Sequence, residues 1–220
     1  MPAESLSVNH DIPSPITIEQ PAAPVSVPQP VPEQPQQKSI YGKVPEIPVL
    51  EAVDGIRFDF NDGIRILFPQ NGKEYRVIFS DLDTGIILYS ADTVPGAFVT
   101  SVKKFFIRFR LQIYPKGGAE PLFTHDYNAE NREVMIQLPV GTIGDSIGWF
   151  SYVERFQLKH RCRLICVMAP HISALVRGQY PEITFIGPDE TVNYRPYACY
   201  YMGLFFRGDV DHQPVDFRYI

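Results

Sequence analysis

One carboxylate, Asp145, lies where an apolar segment, a glycine-rich turn and an amphipathic helix follow one another. The apolar segment is 134–138 (VMIQL), the turn covers 141–148, and the pattern predicts a helix over 146–160. A loop between a strand and a helix start is the usual place for chemistry in a doubly wound α/β layer. An acid held there can act as a general base, or it can cap the helix by accepting a backbone N–H. The residue types alone leave both roles open.

The turn around Asp145 does not have the spacing of a nucleotide-binding motif. It fits neither GxGxxG nor a P-loop, since no Gly-Lys-Ser/Thr follows. Its glycines let the backbone approach a ligand closely, and a helix N-terminus favours a developing negative charge. A carboxylate in this loop would compete with a phosphate, so Asp145 suits an acceptor hydroxyl better than a pyrophosphate. In an inverting sugar transfer, such a base takes the acceptor's proton while the nucleotide leaves from the opposite face.

Trp149 is the only tryptophan and lies one turn into the predicted helix. Its ring can be a stacking surface for a ligand or a packing residue, and the sequence leaves both open. Among the histidines, no pair has metal-ligand spacing. No Ser/His/Asp or Cys/His set can be argued from residue order alone.

Composition excludes several classes of protein. The net charge is −5 and the basic residues are scattered, so no nucleic-acid footprint is present. No apolar stretch is long enough for a membrane span, and the N-terminus lacks the basic start and apolar region of a secretory signal. Cys162, Cys166 and Cys199 are odd in number and are interpreted as buried, reduced thiols. These features predict a cytoplasmic protein.

Three regions differ in composition and periodicity. Residues 1–48 are rich in Pro and Gln, which predicts a disordered tail. Residues 49–128 alternate in hydrophobicity, with Asp-Gly at 62–63 as a hairpin signal, and predict a small antiparallel β-sandwich or barrel. Residues 129–220 alternate strands with helices and predict a parallel sheet. The predicted fold class is therefore α+β, in two parts behind a tail.

Several local assignments complete this picture. A long strand is predicted over 105–114, and the Asp-x-Asp-x-Gly segment at 81–85 is interpreted as a turn instead of a calcium loop. In the α/β part, strands are predicted over 163–168, 183–186 and 197–201, with a helix over 172–179 between the first two.

From Asp54 onward the chain resembles the bacterial autotransporter heptosyltransferases, the autotransporter strand-loop-strand O-heptosyltransferases. The block GTIGDSIGWF at 141–150 is the most specific part, and the β segments support it by order and spacing. The segments that carry the resemblance are DGIRFDFNDGIRILFP, FSDLDTGIILYSADT, KKFFIRFRLQIY, NREVMIQLPVGTIGDSIGWFSYVERFQLKHRCRLICVMA, YPEITFI and YYMGLFFRGDVDHQPVDFRYI.

The resemblance implies a fold and an activity. Such enzymes join a small β-domain to a GT-B core with Rossmann-like halves and assemble into ring-shaped homo-oligomers, as dodecamers. They transfer heptose, with inversion, from ADP-heptose to serine hydroxyls of an autotransporter adhesin passenger. The Gly-Asp of this loop recurs in lipopolysaccharide heptosyltransferases, where the Asp is the base, and Asp145 occupies the matching position. We therefore predict Asp145 as the general base, and the predicted substrate-binding residues are Thr142, Gly144, Ser146 and Trp149.

The resemblance covers the front half of such an enzyme. A GT-B enzyme binds its donor nucleotide mainly on a second Rossmann-like domain, and the family's iron or zinc finger also belongs to that half. We expect the 220-residue chain to be a truncated or split form that is inactive alone and holds no cofactor. Two alternatives stay open. One is a non-catalytic binding or oligomerisation module; the other is a lipopolysaccharide-type heptosyltransferase, which does not predict a β-domain at 54–123.

Overall fold

The computed structural model describes residues 41–101, 106–138 and 142–202. Its strands are β1 (Leu50–Glu51), β2 (Arg57–Asn61), β3 (Arg65–Leu67), β4 (Tyr75–Asp81), β5 (Ile87–Thr93), β6 (Phe98–Thr100), β7 (Phe109–Pro115), β8 (Phe123–Asp126), β9 (Glu133–Gln137), β10 (Arg163–Val167), β11 (Thr184–Ile186) and β12 (Ala198–Tyr201). The α-helices are α1 (Ile143–His160) and α2 (Pro170–Val176), and 3-10 turns cover Val53–Gly55 and Pro188–Asn193. Gly141, the first residue of the predicted glycine-rich turn, lies outside the described residues, as do residues 1–40 of the predicted tail.

A small antiparallel sheet has the strand order β5-β4-β7-β8. The turn between β4 and β5 is closed by Asp81, whose carboxylate accepts hydrogen bonds from the Asp83 N–H at 2.9 Å and the Thr84 hydroxyl at 2.8 Å. The prediction of a turn at this position is therefore confirmed. In β7, alternate residues are buried, as the period-2 pattern predicts. The strand begins at Phe109, later than predicted, and residue 105 of the predicted strand lies outside the described residues.

A larger mixed sheet has the order β11-β10-β9-β12-β2-β3-β6, with β1 beside β2. The strands β9 to β12 are parallel to their neighbours, which confirms the predicted parallel sheet. The hairpin β2–β3 turns at Asp62 and Gly63, both with positive φ, and is also confirmed. Because β2 pairs with β12, strands predicted for the small β-domain extend the parallel sheet. The domain boundaries themselves stay a prediction.

Both faces of the parallel strands are buried. One face presents Val134 and Ile136 of β9 to the core that contains Phe150 and Val153 of α1. The opposite face forms a second apolar cluster with Val44 and Tyr194 packed on it; its members are Met135, Ile165, Val167, Ile186 and Cys199. Burial on both faces explains why these strands are continuous apolar runs.

Residues 41–48, which the sequence analysis assigns to the tail, contact the larger sheet. Gly42 and Pro48 are buried, and Val44 packs on the second apolar cluster. Residues 41–49 are named the strap here. The sequence did not predict this packing because the bonds that hold Gly42 come from a distant side chain, Gln137, and not from local apolar residues.

Asp59 contradicts the simple alternation of β2. The pattern placed it opposite Phe58 and Phe60, on a polar face, yet it is 0 % exposed. Two bonds from Arg65, Nε at 2.8 Å and Nη2 at 2.7 Å, compensate the buried carboxylate. The partner is the cross-strand neighbour in β3, so only the strand register reveals it.

Candidate functional site

A capping box holds Asp145 at the start of α1. Thr142 is the N-cap residue, and its N–H and its hydroxyl both donate to Asp145 Oδ2 at 2.9 Å. In return, the Asp145 N–H donates to Thr142 Oγ1 at 3.3 Å. The N-cap interpretation of Asp145 is therefore wrong in position. Asp145 is the third helical residue, and the helix begins at Ile143, three residues before the predicted start, because Thr142 caps it.

The same bonds set the charge of Asp145. The backbone N–H of Thr142 lowers the pKa of the carboxyl below its usual range, and the Thr142 hydroxyl lowers it further. Within the described residues, both bonds reach Oδ2 and none reaches Oδ1. The side chain is exposed and ionised, with one oxygen held and the other free to accept a proton.

The surroundings of Asp145 are open and partly apolar. Ile143 and Ile147 are about half exposed, at 50% and 49%. A Cβ atom on Gly148 would meet nothing within 4 Å, so space is also open one turn along the helix. Gly148 is three residues after Asp145 and shares its side of the helix, so an acceptor segment can approach the carboxylate there, whereas Ile143 and Ile147 face another side of the helix.

The predicted substrate-binding residues differ in their access to that surface. Thr142 and Gly144 are exposed, but the Thr142 hydroxyl is already bonded to Asp145. Trp149 is half-buried, with its ring 6.0 Å from that of Tyr152. Ser146 is only 2% exposed, so its side chain faces the protein in this arrangement. Substrate binding by all four residues stays a prediction.

Gln137, at the end of β9, is a residue that the sequence analysis missed. It is fully buried, and its side-chain amide pairs with the backbone of Gly42 through bonds of 2.8 Å to Oε1 and 3.2 Å from Nε2. The ring of Tyr41 lies 5.4 Å from that of Tyr201, the last residue of β12. The strap therefore begins at the carboxyl edge of the parallel strands, the edge from which the chain leads to Asp145. A glutamine at the end of an apolar strand is the one signal in the sequence.

The described part of the chain has residue types that can bind a metal but does not group them suitably. No group of three His, Cys, Asp or Glu side chains suited to a metal occurs within the described residues. Among the same residues, no helix combines the length and apolar character needed to cross a bilayer.

The comparison with protein families identifies the class. Residues 53–117 match the family model described as the N-terminal domain of glycosyltransferase TibC. This match covers the hairpin β2–β3 and three strands of the antiparallel sheet, β4, β5 and β7, and shows that this part of the chain is similar to that glycosyltransferase.

Relatives identify the family. The chain is 46% identical over 176 residues to the autotransporter heptosyltransferase BAHTCr of Citrobacter rodentium, covering 80% of this chain and 42% of that protein. It is similar, with a TM-score of 0.73 and 42% identity, to the crystal structure of dodecameric iron-containing heptosyltransferase TibC in complex with ADP-D-beta-D-heptose, covering 81% of this chain and 46% of that one. The chain belongs to the autotransporter heptosyltransferase family, and the expected resemblance is confirmed. It spans less than half the length of the relatives it matches.

One further relative shows that membership does not fix activity. The chain is 36% identical over 167 residues to the inactive autotransporter heptosyltransferase BimC of Burkholderia thailandensis, covering 76% of this chain and 38% of that protein. Family membership and turnover therefore need separate tests.

The cysteines of this chain do not fit the iron of TibC. All three are free and buried. Burial raises the pKa of Cys162 to about 11 and that of Cys199 to about 12, and it raises the pKa of Cys166 further. Because no group of three potential metal ligands lies within the described residues, no step is assigned to a metal here. The prediction of buried, reduced thiols is confirmed.

Proposed function

We propose that this chain carries the acceptor-side half of a protein O-heptosyltransferase that transfers heptose from ADP-heptose to serine hydroxyls of an autotransporter adhesin passenger. The observation that carries the proposal is the carboxylate of Asp145, fixed through one oxygen by Thr142 and open at the other. The family to which the chain belongs supplies the reaction class.

The proposed chemistry is a single displacement. The serine oxygen of the acceptor attacks the anomeric carbon of the heptose while the bond from that carbon to the ADP phosphate breaks. Asp145 Oδ1 accepts the serine proton, and ADP leaves with the electron pair of the broken bond. Because its pKa is lowered, Asp145 is ionised at neutral pH but is a weak base, so proton transfer is favourable only once the attacking oxygen has become acidic.

The two bonds from Thr142 give Asp145 a fixed direction. A base contributes to catalysis only when it lies within hydrogen-bond reach of the proton that it removes. The N-terminus of α1 adds a positive electrostatic potential that favours negative charge beside the loop. The open space at Gly148, three residues after Asp145, leaves room for the acceptor segment on the same side of the helix.

The remaining parts of the enzyme are proposed on the same basis. The parallel strands with α1 and α2 are the first Rossmann-like half of a GT-B fold, and the donor nucleotide binds mainly to a second half. The family's metal finger is assigned to that second half as well. A cytoplasmic location and a ring-shaped homo-oligomer complete the proposal.

A second function is favoured by one observation. A relative that is 36% identical is named as inactive, so a chain of this family can serve as a binding or oligomerisation module without turnover. A lipopolysaccharide-type enzyme is less well supported, because residues 53–117 match the TibC N-terminal domain.

The test replaces Asp145 with Asn in a complete enzyme that contains this chain and measures ADP release with ADP-heptose and passenger. Asn keeps an oxygen that can accept the Thr142 bonds but cannot take a proton. Loss of a general base predicts a fall in kcat of about 10²- to 10⁴-fold with little change in KM. The matched control is Asp92→Asn, an exposed carboxylate on β5.

The outcomes separate the readings. A large loss in Asp145→Asn alone, with an unchanged circular dichroism spectrum, supports the heptosyltransferase. Equal ADP release by both variants contradicts a base at position 145. Absence of turnover in the unmodified complete enzyme, with passenger binding retained, favours the module.

A further inference from the structure

A cavity lies at the amino edge of the parallel strands, opposite the edge that leads to Asp145. Its volume is about 460 Å³. Charged side chains dominate its wall, and four of them are arginines: Arg57, Arg132, Arg163 and Arg195. The other lining residues are Ile47, Val49 and Leu50 from the strap and β1, together with Glu133 and Tyr197.

The sheet topology brings these arginines together. Arg163 is the first residue of β10, Arg132 directly precedes β9, and Arg195 lies shortly before β12. Because β9, β10 and β12 are parallel neighbours, their first residues meet at one edge. Arg57 is the first residue of β2, which runs parallel to β12 and completes the group. Residues far apart in sequence thus converge on one cavity.

The positive charge of this group is not balanced by the residues around it. Glu133 is the one carboxylate in the wall. Arg57 donates to two main-chain carbonyls, those of Pro48 at 2.8 Å and Val49 at 3.2 Å. Neutral acceptors leave its charge uncompensated.

The other three arginines make no ion pair within the described part of the chain. The guanidinium of Arg132 lies over the ring of Tyr197, 5.7 Å from its centre. Outside the cavity, four exposed arginines are paired with a carboxylate, namely Arg76, Arg108, Arg110 and Arg161. Arg155 and Arg177 are also without an ion pair among the described residues, but neither lines the cavity, so what distinguishes the cavity is that four guanidinium groups converge there.

We infer that this cavity is a binding site for a small, multiply charged anion of the phosphate or pyrophosphate class. Guanidinium groups bind phosphate oxygens through paired N–H donors. The volume is within the range of small-molecule pockets, about 300–1,000 Å³. Four guanidinium groups, in a protein whose net charge is −5, indicate a ligand that supplies the missing negative charge.

The site is separate from the proposed catalytic one. The five residues of β9 lie between the two edges of the sheet, and at about 3.3 Å per residue they span about 16 Å. An anion here therefore does not reach Asp145. It contacts strap residues Ile47 and Val49 instead, so we expect bound anion to stabilise the strap against the sheet.

The experiment uses inorganic pyrophosphate as the probe, in about 0.15 M NaCl so that weak surface attraction is screened. Calorimetry measures binding to the chain, and thermal unfolding measures its stabilisation. We expect saturable binding of one pyrophosphate per chain. The double variant Arg163→Gln/Arg195→Gln is expected to bind at least about tenfold more weakly, a loss of about 1.4 kcal/mol.

Two control variants make the test specific. Arg76→Gln/Arg110→Gln removes the same charge from exposed strand positions of the antiparallel sheet and is expected to leave binding unchanged. Arg163→Lys/Arg195→Lys keeps the charge but removes the guanidinium forks. It serves if the Gln variant fails to fold, and it is expected to weaken binding as well.

Several results would overturn the inference. One is the absence of saturable pyrophosphate binding at this salt concentration. Another is an equal loss of pyrophosphate affinity in both Gln double variants, which would mean that binding depends only on the overall charge of the protein. Binding of an acidic peptide in place of pyrophosphate would assign the surface to a protein partner and would also overturn it. None of these results bears on Asp145, so the proposed heptosyl transfer is tested independently.

Discussion

The buried ion pair between Asp59 and Arg65 gives the sharpest stability prediction. Asp59 is 0 % exposed and its partner 9%. Its carboxylate also accepts bonds from Asn61 Nδ2 at 2.8 Å and from the N–H of Val49 at 3.2 Å. Replacing Arg65 with Met removes two short bonds and leaves a buried carboxylate without its cation. Such a loss costs about 3–5 kcal/mol, a large part of the about 5–15 kcal/mol that stabilises a typical domain.

The same network explains why the effect should spread. Asn61 Nδ2 also donates to the carbonyl of Pro196 at 3.0 Å, at the junction of β2 with β12. Loss of Arg65 therefore loosens both the hairpin and the point where it joins the parallel strands. Through Val49, it also loosens the strap.

Urea unfolding followed by circular dichroism measures this prediction. The control is Arg76→Met, which breaks an ion pair with Asp92 whose side chains are 46% and 41% exposed. An exposed pair contributes at most about 1 kcal/mol. In the double variant Arg65→Met/Asp59→Asn the uncompensated charge is gone, so its loss should be smaller than the sum of the single losses. A free energy of unfolding that falls no further for Arg65→Met than for Arg76→Met would refute the reasoning.

Three further predictions concern the site, the strap and pH. Thr142→Ala removes the hydroxyl that donates to Asp145, so the pKa of Asp145, measured by NMR titration, should rise towards its usual value. The free energy of unfolding should fall by about 1 kcal/mol because the helix loses its cap. Thr142→Ser should preserve both quantities, and an unchanged pKa in the Ala variant would argue against the capping box. Gly42→Ala would place a Cβ atom against the buried side chain of Thr191, so the melting temperature should fall and the strap should be cleaved faster by protease. Gly148→Ala, with open space around it, should be tolerated, and equal melting temperatures of the two variants would contradict the strap contact. Burial lowers the pKa of His160 from about 6.5 to about 4. Between these pH values the unfolded chain binds a proton at His160 and the folded chain does not, so the free energy of unfolding should fall as pH drops from about 6.5 to about 4. His160→Phe keeps an aromatic ring against Phe156 and should make this dependence on pH weaker; an unchanged dependence would contradict the role of His160.

Local features of the fold could be predicted from the sequence. The Asp62-Gly63 turn, the alternation in β7 and the continuous apolar runs of β9 and β10 follow from residue preferences within a few positions. The position of β12 between β9 and β2 could not be predicted, because it depends on pairing between residues that are far apart in sequence.

The candidate site was partly predictable. The order of strand, loop and helix located Asp145. The sequence analysis considered Asp145 as the N-cap residue, whereas Thr142 has that position, and so it missed the capping box between them. A Thr three residues before an acid is a capping-box signal and could have revealed it. The bonds from Gln137 to Gly42 and the cavity of four arginines could not be found this way, since each joins separate parts of the chain.

The most direct test of the central claim is the mass of the passenger after incubation with ADP-heptose and the complete enzyme. The account predicts a gain of whole heptosyl units on serine with the unmodified enzyme and with Asp92→Asn, and none with Asp145→Asn. Passenger that gains heptose equally well with Asp145→Asn would contradict the assignment of Asp145 as the base.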